Sequence, residues 1–174
     1  PPAHFLTITQ SWDTAYKAAA LNDPWCCTTW GETENGYYLL DCYNQRLEYP
    51  EGKRVARMLA EKWHPSAILI EDKSSGQSLI QDLRAETKLP VLAREPEGDK
   101  LTRASVTSPL IEAGQVWLPT SAPWLFDFET QVSGFPLAAH DDMVDSLTQM
   151  LAYWIHKPQP IQFIRLAGVS RRIR

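Results

Sequence analysis

Cysteine is scarce, with Cys26, Cys27 and Cys42 the only three in 174 residues. An odd number with two adjacent does not make a disulfide framework, and none has zinc-site spacing. The expected compartment is therefore reducing and intracellular. No apolar run approaches the roughly 18 residues of a membrane span. The N-terminus lacks a basic segment leading into an apolar one, so no signal peptide is read. Internal repeats and long linkers are absent as well. What remains is a globular composition, 44% hydrophobic and 22% charged, which rules out disorder as the main description. The length fits one domain able to bury a real core.

The net charge of −4 hides an asymmetry. From Lys157 onward stand Lys157, Arg165, Arg171, Arg172 and Arg174, with no acid. Residues 1–156 therefore hold 12 basic residues against all 21 acids, a charge of −9. A basic tail on an acidic body suits a nucleic-acid contact, and it equally suits a solvated terminus. An acidic body remains compatible with DNA handling if its acids gather at a metal site.

Hydrophobic spacing predicts strands over Phe5–Asp13, Trp25–Glu32 and Tyr37–Gln45. Asn35-Gly36 joins the last two as a hairpin, since both residues tolerate positive φ. A helix follows from Pro50, with Val55, Met58, Leu59, Lys62 and Trp63 spaced by three and four, and Pro65 ends it. The continuous apolar run Ala67–Ile70 reads as a strand covered on both faces. A helix from Ser75 to about Thr87, a short strand at Pro90–Leu92 and a helix over Thr102–Ala113 come next, although Pro109 interrupts the last. Gln115–Leu118 is extended, Trp124–Val132 helical, and the final helix runs from His140 to about Ile155. Three antiparallel strands followed by alternating helices and strands give an α/β domain with a mixed sheet flanked by helices, an order that fits an RNase H-like architecture among others.

Acids collect at three places. Asp13 ends the first strand, where Asp is also an ordinary turn residue. Glu71-Asp72 follows the buried run, at the strand end where α/β sheets place their sites. Successive strand residues face opposite ways, so the two cannot share one site unless the strand has ended. One of them could also be a helix cap or an ion-pair partner. Asp141, Asp142 and Asp145 fall within about one third of the last helix's circumference. Met143, Val144, Leu147, Met150, Leu151 and Trp154 lie opposite. The helix dipole accounts for acids in the first turn and less well for Asp145. Clustered carboxylates repel unless they share a cation. An all-oxygen set suits Mg²⁺ or Mn²⁺. Two such ions can activate water and stabilise the leaving oxygen in phosphodiester cleavage.

Five segments in order resemble the C-terminal nuclease domain of the phage terminase large subunit, a member of the RNase H-like, RuvC-like nuclease superfamily. They are Gln10-Ser11-Trp12-Asp13-Thr14-Ala15, Ile70-Glu71-Asp72-Lys73-Ser74-Ser75-Gly76, Gly98-Asp99-Lys100-Leu101-Thr102-Arg103-Ala104, Ala113-Gly114-Gln115-Val116-Trp117-Leu118-Pro119 and His140-Asp141-Asp142-Met143-Val144-Asp145-Ser146-Leu147. The resemblance spans about residues 8 to 155. It implies a nuclease domain, taken as residues 1–157, and the charge asymmetry marks 158–174 as a basic tail.

The resemblance further implies an RNase H-like fold and endonuclease cleavage of concatemeric double-stranded DNA, in the cytoplasm of an infected or lysogenic bacterial host. It makes Asp13, Glu71 and Asp145 the catalytic acids and, with Asp142, the ligands of two Mg²⁺ or Mn²⁺ ions. Asp13 would bridge both ions. Asp141 could replace or assist Asp142, and Asp72 is the runner-up to Glu71. Lys73, Lys100 and Arg103 are expected at DNA phosphates, with Arg171 and Arg172 in the tail. His140 is either a supporting group or a simple helix-start residue. The implied partners are an N-terminal ATPase domain, the terminase small subunit and the capsid portal, with no membrane. No Gly-x-x-x-x-Gly-Lys-Ser/Thr is present and the chain begins Pro-Pro without Met, so the nuclease portion alone, without ATP hydrolysis, is expected. The alternatives are a Holliday-junction resolvase of the same superfamily and a non-catalytic module docking on DNA or the portal.

Overall fold

A computed structural model describes residues 2, 4–14, 24–73, 75–138 and 140–157. The basic residues Arg165, Arg171, Arg172 and Arg174 lie outside them. The elements run β1 (Thr7–Asp13), β2 (Trp25–Thr33), β3 (Gly36–Gln45), α1 (Tyr49–Trp63), β4 (Ala67–Glu71), α2 (Ser75–Glu86), β5 (Val91–Arg94), α3 (Lys100–Glu112), β6 (Val116–Trp117), α4 (Leu125–Gly134) and α5 (Asp142–His156).

The six strands form one sheet in the order β5-β4-β1-β2-β3-β6. β1, β2 and β3 pair antiparallel, while β4 runs parallel to β1 and β5 parallel to β4. This is the expected mixed-sheet α/β domain. The helices divide between its two faces. Val55, Leu59, Leu79 and Leu83 of α1 and α2 pack on Trp12, Ile68 and Ile70. Met143, Leu147, Met150 and Trp154 of α5, with Phe128 of α4, pack on Cys26, Trp30 and Leu69. β2, β3 and β4 serve both cores by alternation, so one strand residue in two points toward α5.

The predicted elements all occur, and their ends move by a residue or two. β1 starts at Thr7 rather than Phe5, although Leu6 still donates to the Glu32 carbonyl. α3 starts at Lys100 because Asp99 caps it, accepting from the Thr102 N–H at 2.7 Å. Pro109 is tolerated in the last turn of α3, where few helical bonds remain to be lost. α5 starts at Asp142 rather than His140, because Asp141 holds a non-helical backbone (φ −137°).

Candidate active site

Alternation along the two central strands decides which acids meet. β1 and β4 lie side by side with Trp12 opposite Ile70. Both of those side chains enter the core under α1 and α2. Asp13 and Glu71, one residue further along, therefore turn to the opposite face, where Leu69 packs under α5. Asp72, the first residue beyond β4, is not among the acids that act on Asp13. β4 runs through Glu71 and ends there, and the Asp72 N–H donates to the Arg94 carbonyl at 2.8 Å.

α5 brings its first turn to these strand ends. Asp145 is buried there, and Asp141 and Asp142 are partly buried beside it. Asp13 registers the convergence. Burial first, then repulsion by Asp145, Glu71 and Asp142, holds its carboxyl well above the ordinary value, with Lys100 pulling weakly the other way. Three of the other expected metal ligands, on β4 and α5, thus act on Asp13 at the end of β1.

Three of the basic residues expected at phosphates, Lys73, Lys100 and Arg103, pair with these acids. Arg103 donates to Asp145 Oδ1 at 2.6 Å, and Lys100 Nζ bridges Asp145 Oδ2 and Asp141 Oδ1, each at 2.6 Å. Arg103 also donates to the Gly98 carbonyl at 3.1 Å. Burial works against charge on Lys100, but its bonds to Asp141 and Asp145 outweigh this and hold its ammonium above the usual range. Asp141 precedes the helix without capping it, its carboxylate being turned to Lys100. Lys73 stands 3.3 Å from Glu71 with its side chain mostly exposed. His140 is exposed.

The donor set fits a hard divalent cation: Asp13, Glu71, Asp142 and Asp145 offer only carboxylate oxygens, and Asp13 is short of neighbouring positive charge. Both Asp145 oxygens are occupied by α3, however. Among the described residues no group of three acids, histidines or cysteines is placed to hold a metal ion. Ligation would require Asp145 to exchange α3's cations for the metal.

Beneath the acids lies a polar seam to which sequence alone assigns no role. Ser146 Oγ lies 2.7 Å from Thr28 Oγ1 and bonds the Ser11 carbonyl. Gln149 Nε2 donates to Ser11 Oγ at 2.8 Å and to the Trp12 carbonyl at 3.2 Å. A signal is present, since Ser146 and Thr148 interrupt an otherwise apolar helix face. At α2, a Cβ on Gly76 would come within 2.1 Å of the Glu71 carbonyl oxygen, so the absent side chain lets the helix start against the end of β4.

Comparison with known proteins follows the same lines. No curated protein matches in sequence. Among solved structures, the large terminase of one thermophilic bacteriophage superposes with a TM-score of 0.67 at 12% identity, over 89% of this chain and 41% of that one. This chain thus spans well under half of that protein. The large terminase nuclease of the thermophilic phage G20c, with bound zinc, gives 0.66 at 17% identity over 85% and 80%. The human cytomegalovirus terminase nuclease domain gives 0.62 at 10% identity over 90% and 88%. These likenesses establish the RNase H-like fold. The family model of the terminase RNaseH-like domain matches residues 10–153, from within β1 nearly to the end of α5. The chain accordingly belongs to the terminase RNaseH-like domain family and is a terminase nuclease domain.

Proposed function

We propose that this domain is a divalent-metal-dependent endonuclease that cuts concatemeric double-stranded DNA during viral packaging. The observation carrying this reading is the Asp13 carboxyl, repelled by Asp145, Glu71 and Asp142 together at the ends of β1 and β4. Lys100 and Arg103 pair with Asp141 and Asp145, while the repulsion left at Asp13 is what a bound cation would relieve. Asp13, Glu71, Asp142 and Asp145 would hold two Mg²⁺ or Mn²⁺ ions, with Asp141 assisting. Bound ions supply the Lewis acidity and activated water for phosphodiester hydrolysis. Related terminase nucleases have been solved with zinc and with cobalt, and the cytomegalovirus domain was soaked with manganese.

The chain's own residues do the positioning. The strand ends fix Asp13 and Glu71 side by side, and the Ser146 and Gln149 bonds set the depth of Asp145. Lys100 and Arg103 balance the acids and stand ready for phosphate once the acids engage metal, with Lys73 beside them. Arg171 and Arg172 would extend the contact along DNA. In a complete large terminase we place this domain beside an N-terminal ATPase domain, acting with the small subunit and the portal in the host cytoplasm. The bacteriophage large terminase of which this chain covers 41% has also been solved with ADP. Among the described residues no helix is long and apolar enough to cross a membrane.

Plasmid cleavage tests the proposal, run in Mg²⁺, Mn²⁺ and EDTA beside Asp145→Asn. Metal-dependent nicking and linearisation, lost in the variant, is the expected result. Cutting by the variant at the wild-type rate would refute the site.

A further inference from the structure

Arg94 is the last residue of β5 and pairs with Glu71 across the parallel ladder. Registered neighbours in a parallel sheet share a face, so Arg94 lies on the α5 side with Glu71. The structure agrees, because the Arg94 guanidinium lies over the Tyr153 ring of α5, 5.8 Å from its centroid. Together with Glu71, Arg103, Asp145 and Gln149 it lines a cavity of about 240 Å³. Glu95 and Glu97 line the cavity too.

Arg94 differs from the other basic residues near the acids. Lys73, Lys100 and Arg103 each stand within ion-pair distance of a carboxylate. Arg94 forms no ion pair and no side-chain hydrogen bond among the described residues, although carboxylates share its cavity. The contact with the ring consumes none of the guanidinium's five N–H donors. A planar cation with free in-plane donors matches the non-bridging oxygens of a phosphodiester, which it can hold bidentately.

We propose that Arg94 is a phosphate-positioning residue. It clamps a backbone phosphate of the bound strand beside the scissile one and so fixes the register of DNA over Asp13, Glu71 and Asp145. The inference rests on the nuclease reading above and adds a residue outside the segments that carry the family resemblance.

The test is duplex-oligonucleotide binding by fluorescence anisotropy, in EDTA and in Ca²⁺, across a salt series, for wild type, Arg94→Gln and Arg94→Lys. One lost phosphate contact lowers the slope of log K against log salt by about 0.9. Arg94→Gln should show that reduction and bind roughly five- to tenfold more weakly at low salt, the scale of one charge-assisted contact. Arg94→Lys should keep the slope, since the charge remains, while losing part of the affinity with the bidentate geometry. An unchanged slope in Arg94→Gln, with wild type binding and cutting DNA, overturns this inference and leaves the nuclease reading intact. A lower melting temperature with an unchanged slope makes Arg94 structural only and equally overturns it. A wild-type chain that neither binds nor cuts DNA overturns both.

Discussion

Ser11 and Ser146 exchange hydrogen bonds across the seam between β1 and α5. Ser11 Oγ donates to the Ser146 carbonyl and Ser146 Oγ donates to the Ser11 carbonyl, each at 2.8 Å. Both residues are fully buried, and each adjoins the site, Ser11 two residues before Asp13 and Ser146 one after Asp145. The pair thus sets the spacing between a strand-borne acid and a helix-borne one. Removing the Ser146 hydroxyl leaves the Ser11 carbonyl and the Thr28 hydroxyl short of a buried partner. Ser146→Ala should therefore cost about 1–3 kcal/mol in urea unfolding, the usual toll of an unsatisfied buried group. Cleavage measured well below the melting temperature should fall as well. A variant as stable and as active as wild type would show that the seam does not position Asp145.

Asp13 yields a prediction with a definite sign. Its folded-state carboxyl is raised by burial and then by Asp145, Glu71 and Asp142, so folding favours the protonated form. The stability it contributes is complete below the ordinary carboxylate range and is lost as pH rises through the raised value. In EDTA at neutral pH, Asp13→Asn should melt higher than wild type, each recovered kcal/mol being worth about 2–4 °C at this chain length. Adding Mg²⁺ or Mn²⁺ should raise the wild-type melting temperature and leave the variant nearly unmoved. Cleavage should be abolished in the same variant. A variant less stable than wild type in EDTA would contradict the repulsion argument.

Gly76 is a steric prediction. A Cβ there would meet the Glu71 carbonyl oxygen, a backbone atom that cannot swing aside. Gly76→Ala should push the start of α2 from the end of β4, costing about 1–3 kcal/mol as other forced overpacking does. Because the displaced carbonyl belongs to Glu71, cleavage should fall more than stability predicts. Thermal unfolding beside plasmid cleavage separates the two effects, and a neutral substitution would mean the helix can retreat freely.

The elements were legible because their signals are local. Asn35-Gly36, the apolar run Ala67–Ile70 and the three-and-four spacing of α1 and α5 each fix a structure without reference to distant residues. Parity was half legible: the alternation rule separates Glu71 from Asp72, but which one faces the site needs the end of β4 and the side on which α5 packs. The meeting of the acids was read only through the family resemblance, and the ion pairs and hydrogen bonds between distant segments were not legible. Lys100 and Arg103 read as phosphate contacts because they share a helix start, whereas their carboxylate partners Asp141 and Asp145 lie some forty residues on, on another helix. Ser146 and Gln149 look like polar interruptions of an apolar face until Ser11 and Thr28 are seen beneath them.

Lys100 and Arg103 should compete with metal for Asp145, and their different burial separates their effects. The Arg103 and Asp145 side chains are 14% and 9% exposed, so solvent screens that pair little. Arg103→Ala should destabilise the metal-free protein by about 1.5–3 kcal/mol, the range for a hydrogen bond to a charged group. Lys100 is 47% exposed, and its pairs belong with surface bridges worth about 0.2–1 kcal/mol. Lys100→Ala should therefore be nearly neutral for stability. Removing a tethered cation also removes a competitor, so Lys100→Ala should bind Mn²⁺ up to about fivefold more tightly in calorimetric titration, the equivalent of 1 kcal/mol. Its affinity for duplex DNA should fall at the same time, because the ammonium that metal would release is no longer there to meet phosphate. Weaker Mn²⁺ binding in this variant would mean that Lys100 organises Asp141 and Asp145 for the metal rather than holding their place.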